Sequence, residues 1–373
     1  MSEEDVAPDQ VPGAPHPRDT ARLFGQEDAE AQFLGAYVRD RLHHGWLLTG
    51  PRGTGKATLA WRIARFLLAT PPMDDGGLFG APPPPTTLDI DPDHPVSRRM
   101  AARAEGGLAS VTRSVNEDTG RLRSEIVVDD IRRLHRFFGL SAPDGGRRVV
   151  IVDPADEMNT SAANALLKML EEPPARTILL LVAHQPSRLL PTIRSRCRTL
   201  RLKPLDTGAM AQALEQSGTA VEPGDAEPLA VLAAGSVGAA IRLIELEGLA
   251  LYAALVQLAG TLPRLDRPAA NALADSLAAR NRPERFDLFL DLADTLLARL
   301  AMTGAAGALP GPEAAPGEAA VLARLAPDPQ AGRRWAEAAA QISSRARHGA
   351  AVNLDPGALV LDTVLRIQET ARG

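Results

Sequence analysis

Seven consecutive residues carry the first chemical signal. Gly50-Pro51-Arg52-Gly53-Thr54-Gly55-Lys56 fits the spacing G-x-x-x-x-G-K, in which glycines let the backbone bend until several N–H groups face one anion and a lysine adds charge. Gly50, Gly53, Gly55 and Lys56 are the candidate phosphate-binding residues. The next position should carry a hydroxyl that ligates Mg2+, and here it is Ala57. Thr58 follows, but one helical step turns a side chain by about 100°, so its hydroxyl is not expected at the same metal. A glycine turn that merely joins strand to helix is the plain alternative. The long match and its strand–loop–helix context favour a phosphate loop that has lost its metal ligand.

Asp153 closes an apolar run at residues 148–152, the place of the acid that holds Mg2+ in phosphate-loop ATPases. The residue after it is Pro154, which cannot activate water. Asp156 and Glu157 fall beyond the strand end, at the start of the next turn. Arg196 is the third candidate, in Ile193-Arg194-Ser195-Arg196-Cys197. A guanidinium is always charged and can set two donors on one phosphate. Arg188, Arg194, Arg198 and Arg201 crowd the same stretch, so a solvated basic face is the alternative there.

The elements that must position these groups follow from hydrophobic spacing. Folding starts near Leu23-Phe24-Gly25-Gln26, and a helix pattern runs through Tyr37 and Arg41. Residues 46–49 form a short buried strand before the glycine loop, and 58–68 have helical spacing. Residues 71–95, rich in Pro, Gly and Asp, read as a surface insertion or loop. A helix is expected over 126–138, a strand over 148–153 and a helix over 162–172 stopped by Pro173-Pro174. Strands follow at 177–183 and 200–202. Alternating strands and helices imply a parallel sheet covered on both faces. After Pro204 the strand signals vanish, and the rest is Ala/Leu-rich and helical, with breaks near 222–224, Gly235 and 304–317.

The chain has 373 residues, 45% hydrophobic and 23% charged, enough for two or three soluble domains. Only 3% of residues are aromatic, so the core rests on Leu, Val, Ile and Ala. The net charge of −5 does not predict a nucleic-acid coat. The single cysteine, Cys197, rules out an internal disulfide and a cysteine-rich zinc module, and is expected to be buried and structural. No apolar stretch spans a bilayer, and the acidic, proline-rich start lacks a signal-peptide core. A cytoplasmic location without membrane contact is expected.

The run Asn164-Ala165-Leu166-Leu167-Lys168-Met169-Leu170-Glu171-Glu172-Pro173-Pro174, followed by Arg194-Ser195-Arg196-Cys197, resembles the clamp-loader family of bacterial replicases. Val352-Asn353-Leu354-Asp355 and Leu359-Val360-Leu361-Asp362 resemble the closing helix of that family's collar. The resemblance implies an AAA+ fold of the α/β class. It comprises a RecA-like phosphate-loop domain with a parallel sheet at 21–204, a small helical lid at 205–261 and an all-α collar at 262–373. Residues 1–20 are expected as a disordered tail. The resemblance also implies that Arg196 is an arginine finger reaching the ATP site of a neighbouring subunit.

Two kinds of subunit share these features: the ATP-hydrolysing gamma/tau motor, and the delta-prime stator, which keeps the finger without the hydrolysis. Ala57, Pro154 and Gly238, the last where the motor's lid has an arginine, favour the stator kind. Asp153 is then a vestigial metal position, and no metal is expected there. No cofactor is expected either: the family's four-cysteine zinc module is missing, and passive ATP binding at Lys56 is left open. The implied partners are gamma/tau and delta subunits and, indirectly, the sliding clamp and primer-template DNA. Such a chain is not catalytic alone but a component of the DNA polymerase III holoenzyme. The alternatives are a working gamma/tau motor and, from another class, a phosphate-loop kinase of small molecules.

Overall fold

Alternating side chains along short apolar strands divide the interior into two cores. In β1 (Gly45–Thr49) all five residues are buried; Trp46 and Leu48 join one core and Leu47 the other. The same division runs through β3 (Arg148–Val152) and β4 (Thr177–Ala183). Val149, Ile151, Leu180 and Val182 face one way, and Val150, Val152, Leu179 and Leu181 the other. The period of two makes each central strand apolar on both faces. One face is covered by α1 (Glu27–Val38), α2 (Lys56–Ala69) and α3 (Pro95–Ala101), the other by α4 (Val128–Gly139) and α5 (Thr160–Glu171).

The computed structural model describes Gln10 and residues 13–70, 83–139, 146–278 and 283–373. They fall into two compact units. The first comprises residues 1–219 with 235–238, the second 220–234 with 239–373. The first holds a five-stranded sheet in the order β2-β3-β4-β1-β5, with β2 at Leu108–Val111 and β5 at Arg198–Arg201. Every neighbouring pair is parallel. This is the parallel α/β architecture that the alternation implied.

Three details depart from the sequence reading. The edge strand β2 was not anticipated, because only Val111 of its four residues is buried and it carries no apolar run. The expected disordered tail of residues 1–20 lies partly outside the described residues, yet its last part is packed. Pro17–Asp19 form a 3-10 turn, the ring of His16 stands edge-on to Trp61 and the Arg18 guanidinium lies over the same indole. Residues 83–94 of the proline-rich insertion are tied down as well. Leu88 is buried, and Asp89 pairs at 2.8 Å with Arg62, which also holds Glu30 at 2.9 Å.

The second unit is helical. It includes α8 (Ala226–Ala233), most of α9 (Val237–Glu245), α10 (Gly248–Thr261), α11 (Arg267–Leu277), α12 (Pro283–Ala306), α13 (Glu318–Leu325), α14 (Pro329–Ala351) and α15 (Pro356–Ala371). The helix break expected from Gly304 begins later: α12 continues to Ala306, because Gly304 is where α14 approaches. A β-carbon on Gly304 would lie 2.6 Å from the backbone nitrogen of Gly332. Stretch 205–261 is shared, with α7 (Thr207–Gln216) in the first unit and α10 in the second. Among the described residues no single helix is long and apolar enough to cross a membrane.

A buried ion pair lies inside this unit. Glu318 is fully buried and faces Arg299 Nε at 2.6 Å, the Tyr252 hydroxyl at 2.5 Å and the Ala314 N–H at 2.6 Å. Arg299 also donates to the Pro312 carbonyl at 2.7 Å. Such a pair is tolerated because both Glu318 oxygens accept hydrogen bonds from Arg299 and from further donors, whereas removing one member strands a charge. Glu318→Ala should therefore destabilise the helical unit by about 3–5 kcal/mol. Urea unfolding of the full chain followed by circular dichroism checks this, and a wild-type midpoint would contradict it.

Candidate functional site

The glycine loop leaves the carboxyl end of β1 and enters α2 without a side-chain cap. Gly50, Gly53 and Gly55 take φ values of 146°, 77° and 90°, a region open to glycine and strained for other residues. The backbone is thus bent as a phosphate cradle requires, with the first-turn N–H groups of α2 behind it. Lys56 is buried and donates to the Gly50 carbonyl at 2.9 Å and to that of Pro51 at 2.5 Å. Burial pushes its ammonium down from 10.5 to about 8, against the pull of Asp153 and Asp156.

The loop is also a joint. Val237 N–H donates to the Gly53 carbonyl at 3.0 Å, and Ser236 lies where a β-carbon on Gly53 would be. Gln26 donates to the Thr54 and Lys203 carbonyls at 3.2 and 2.7 Å and accepts from Lys203 N–H at 3.1 Å. One loop therefore fastens the chain before α1, the exit of β5 and the turn at 235–238.

Asp153 is buried at the end of β3, with its N–H bonded to the Val111 carbonyl at 3.0 Å. Asp156 sits in the 3-10 turn Ala155–Glu157. Its carboxylate accepts from His184 N–H at 3.0 Å and Gln185 N–H at 2.7 Å, so it anchors the loop after β4. Glu157 pairs with Arg113 at 3.1 Å. The donor set suits a phosphate anion but not a metal–triphosphate that is hydrolysed: position 57 has no hydroxyl and position 154 no carboxylate. No hydrolytic step is assigned to this loop.

The sequence reading missed His184. Burial first, then the charge of Lys56, pushes its imidazole down to about 4, so it is neutral at physiological pH. The signal was present: Ala183 at the end of β4 pairs with Thr49 at the end of β1, so the following residue must lie beside the phosphate loop.

Arg196 belongs to the other end of the sheet. It caps α6 (Pro191–Ser195) just before β5, and β5 runs parallel to β1 with Arg198 opposite Trp46. Its carbonyl lies 3.2 Å from a β-carbon placed on Gly45, at the amino end of β1. The phosphate loop begins after the carboxyl end, roughly 17 Å away at about 3.3 Å per residue. Arg196 Nη2 lies 3.0 Å from Glu171 Oε1, with both side chains partly exposed. Cys197 beside it is half-buried, and burial pushes its thiol up to about 12, which makes it inert.

Residues 25–206 match the family described as DNA polymerase III, delta subunit. The chain is 36% identical over 258 residues to DNA polymerase III subunit delta' of Pseudomonas aeruginosa, covering 66% of this chain and 70% of that protein. It belongs to the DNA polymerase III delta-prime family. It is also 31% identical over 230 residues to the gamma/tau subunit of Mycobacterium bovis, covering 59% of this chain but 35% of that longer protein. A gamma subunit-related protein of Thermotoga maritima aligns over 91% of this chain and all (100%) of that one, at 17% identity and a TM-score of 0.36. This chain carries a glycine-complete loop with its lysine, alongside Ala57 and Pro154.

The depressed Lys56 ammonium has a thermodynamic consequence. Between pH 8 and 10.5 the unfolded chain holds a proton that the folded chain has lost, so this group makes stability rise with pH across that window. Below about pH 8 both states are protonated and the contribution is flat. The unfolding free energy of wild type minus that of Lys56→Met, each from urea titration, should therefore increase from pH 8 to 10, by at most about 1.4 kcal/mol per pH unit. A constant difference would contradict the buried ammonium.

Proposed function

We propose that this chain is the stator subunit of a bacterial clamp loader, presenting Arg196 to the ATP site of a neighbouring subunit while hydrolysing no ATP itself. The observation that carries this reading is the position of Arg196 at the amino end of the strands, opposite its own phosphate loop. A charge placed there cannot serve this chain's nucleotide, but it can serve another's. An arginine supplied in trans stabilises charge that develops on a transferring phosphoryl group.

In this reading the partners are gamma/tau and delta subunits. The assembly opens the sliding clamp and sets it on primer-template DNA in the cytoplasm. Residues 21–204 form the AAA+ domain, 205–261 the lid and 262–373 the collar that assembles with other subunits. Gly50, Gly53, Gly55, Lys56 and Asp153 are inherited from an ATPase and now act as a scaffold. Support comes from Ala57, Pro154 and Gly238, which together lack the metal hydroxyl, the water-activating acid and the lid cation, and from the internal bonding of Lys56.

Reconstitution with gamma/tau and delta tests the reading. Arg196→Ala should leave assembly intact and slow hydrolysis at the one site it faces by on the order of 10³-fold, removing that site's share of the complex's ATPase. Lys56→Ala should leave the ATPase of the complex unchanged. Full ATPase with Arg196→Ala would remove the finger assignment, and collapse with Lys56→Ala would mean that this chain is a motor.

A further inference from the structure

Arg196 is held by another side chain, and its setting bears on how a finger would work. Its backbone is fixed: Pro191 starts α6, Ile193 is fully buried, and Arg196 N–H returns to the Ile193 carbonyl at 3.1 Å. Its guanidinium is fixed as well. Nη1 donates to the Thr192 carbonyl at 3.2 Å, and Nη2 faces Glu171 Oε1 at 3.0 Å. The Thr192 contact belongs to the arginine's own turn, and the Glu171 contact comes from a different helix.

Glu171 is the last residue of α5, before Glu172 and the two prolines that end the helix. A carboxylate there opposes the negative end of the helix dipole, where a cation is favoured. Arg196 supplies that cation from outside the helix. An arginine carries five N–H donors in a rigid planar fork. With two nitrogens turned toward Thr192 and Glu171, the fork is oriented while donors remain for a phosphate oxygen. A long side chain ordered before it meets its target loses less rotamer freedom on engagement.

We infer that Glu171 is a positioning residue for Arg196, holding the guanidinium in the orientation in which it meets the neighbouring subunit's phosphate. The inference rests on the finger reading proposed above. Glu171 touches no substrate and acts only through the arginine.

The test uses the full chain in the complex reconstituted with gamma/tau and delta, with assembly checked by gel filtration. The ATPase share lost in Arg196→Ala defines what the finger supplies. Glu171→Ala should lower kcat for that share about two- to fivefold, the scale of an exposed ion pair, with KM for ATP unchanged. Glu171→Gln keeps the acceptor oxygen and should retain most of the activity. Glu171→Lys, which repels the guanidinium, should lose more than Glu171→Ala. In an Arg196→Ala background, Glu171→Ala should cost nothing further. Wild-type kcat in both Glu171→Ala and Glu171→Lys, with Arg196→Ala impaired, overturns the positioning role alone. A loss that persists in the Arg196→Ala background also overturns it, because Glu171 then acts elsewhere. An Arg196→Ala complex of full activity overturns the finger reading itself.

Discussion

Parallel pairing of β1 with β5 is the constraint from which the functional geometry follows. Two neighbouring strands that run the same way give the sheet a direction. Everything entering at their amino ends is separated from everything leaving at their carboxyl ends by the length of a strand. The phosphate loop occupies the carboxyl end of β1, with Asp153 and His184 following β3 and β4 on the same side. Arg196 occupies the amino end of β5. Helices on both faces keep the strands apolar and their register fixed, so neither end can drift toward the other.

The same sheet shows how a phosphate loop can be held in place by its own packing. A buried ammonium is costly unless it is bonded, and Lys56 finds carbonyl oxygens of its own loop with carboxylates near it. The loop in turn holds Val237 and Gln26. Replacing its glycines would meet Ser236, Leu23 or Leu202 at close range. The loop's present packing is thus sufficient reason for its residues, separate from any nucleotide.

Much of this was legible because the signals were local. The G-x-x-x-x-G-K spacing, the apolar runs of β3 and β4 and the Pro173-Pro174 stop each declare themselves within a dozen residues. What was hidden depended on tertiary partners. β2 buries one residue of four and is a strand only because β3 pairs with it. The turn at Pro17–Asp19 is ordered by Trp61, more than forty positions away in sequence. Gly304 looks like a helix end, yet it is a contact surface for α14. His184 became visible only through strand register. The ion pair of Glu171 with Arg196 joins two elements whose spacing in sequence says nothing about their distance.

The two ends of the sheet differ in what they need from their surroundings. Hydrolysis on a phosphate loop requires a metal ligand and a water-activating group at one point, and here Ala57 and Pro154 offer neither a hydroxyl nor a carboxylate. A presented arginine requires only permanent charge, a rigid base and an oriented fork. Arg196 has the first by chemistry, the second from Pro191 and the buried Ile193, and the third from Thr192 and Glu171. None of those residues belongs to the phosphate loop. Nothing that shapes the phosphate loop at one end of the sheet also holds Arg196 at the other, so the two ends can change independently.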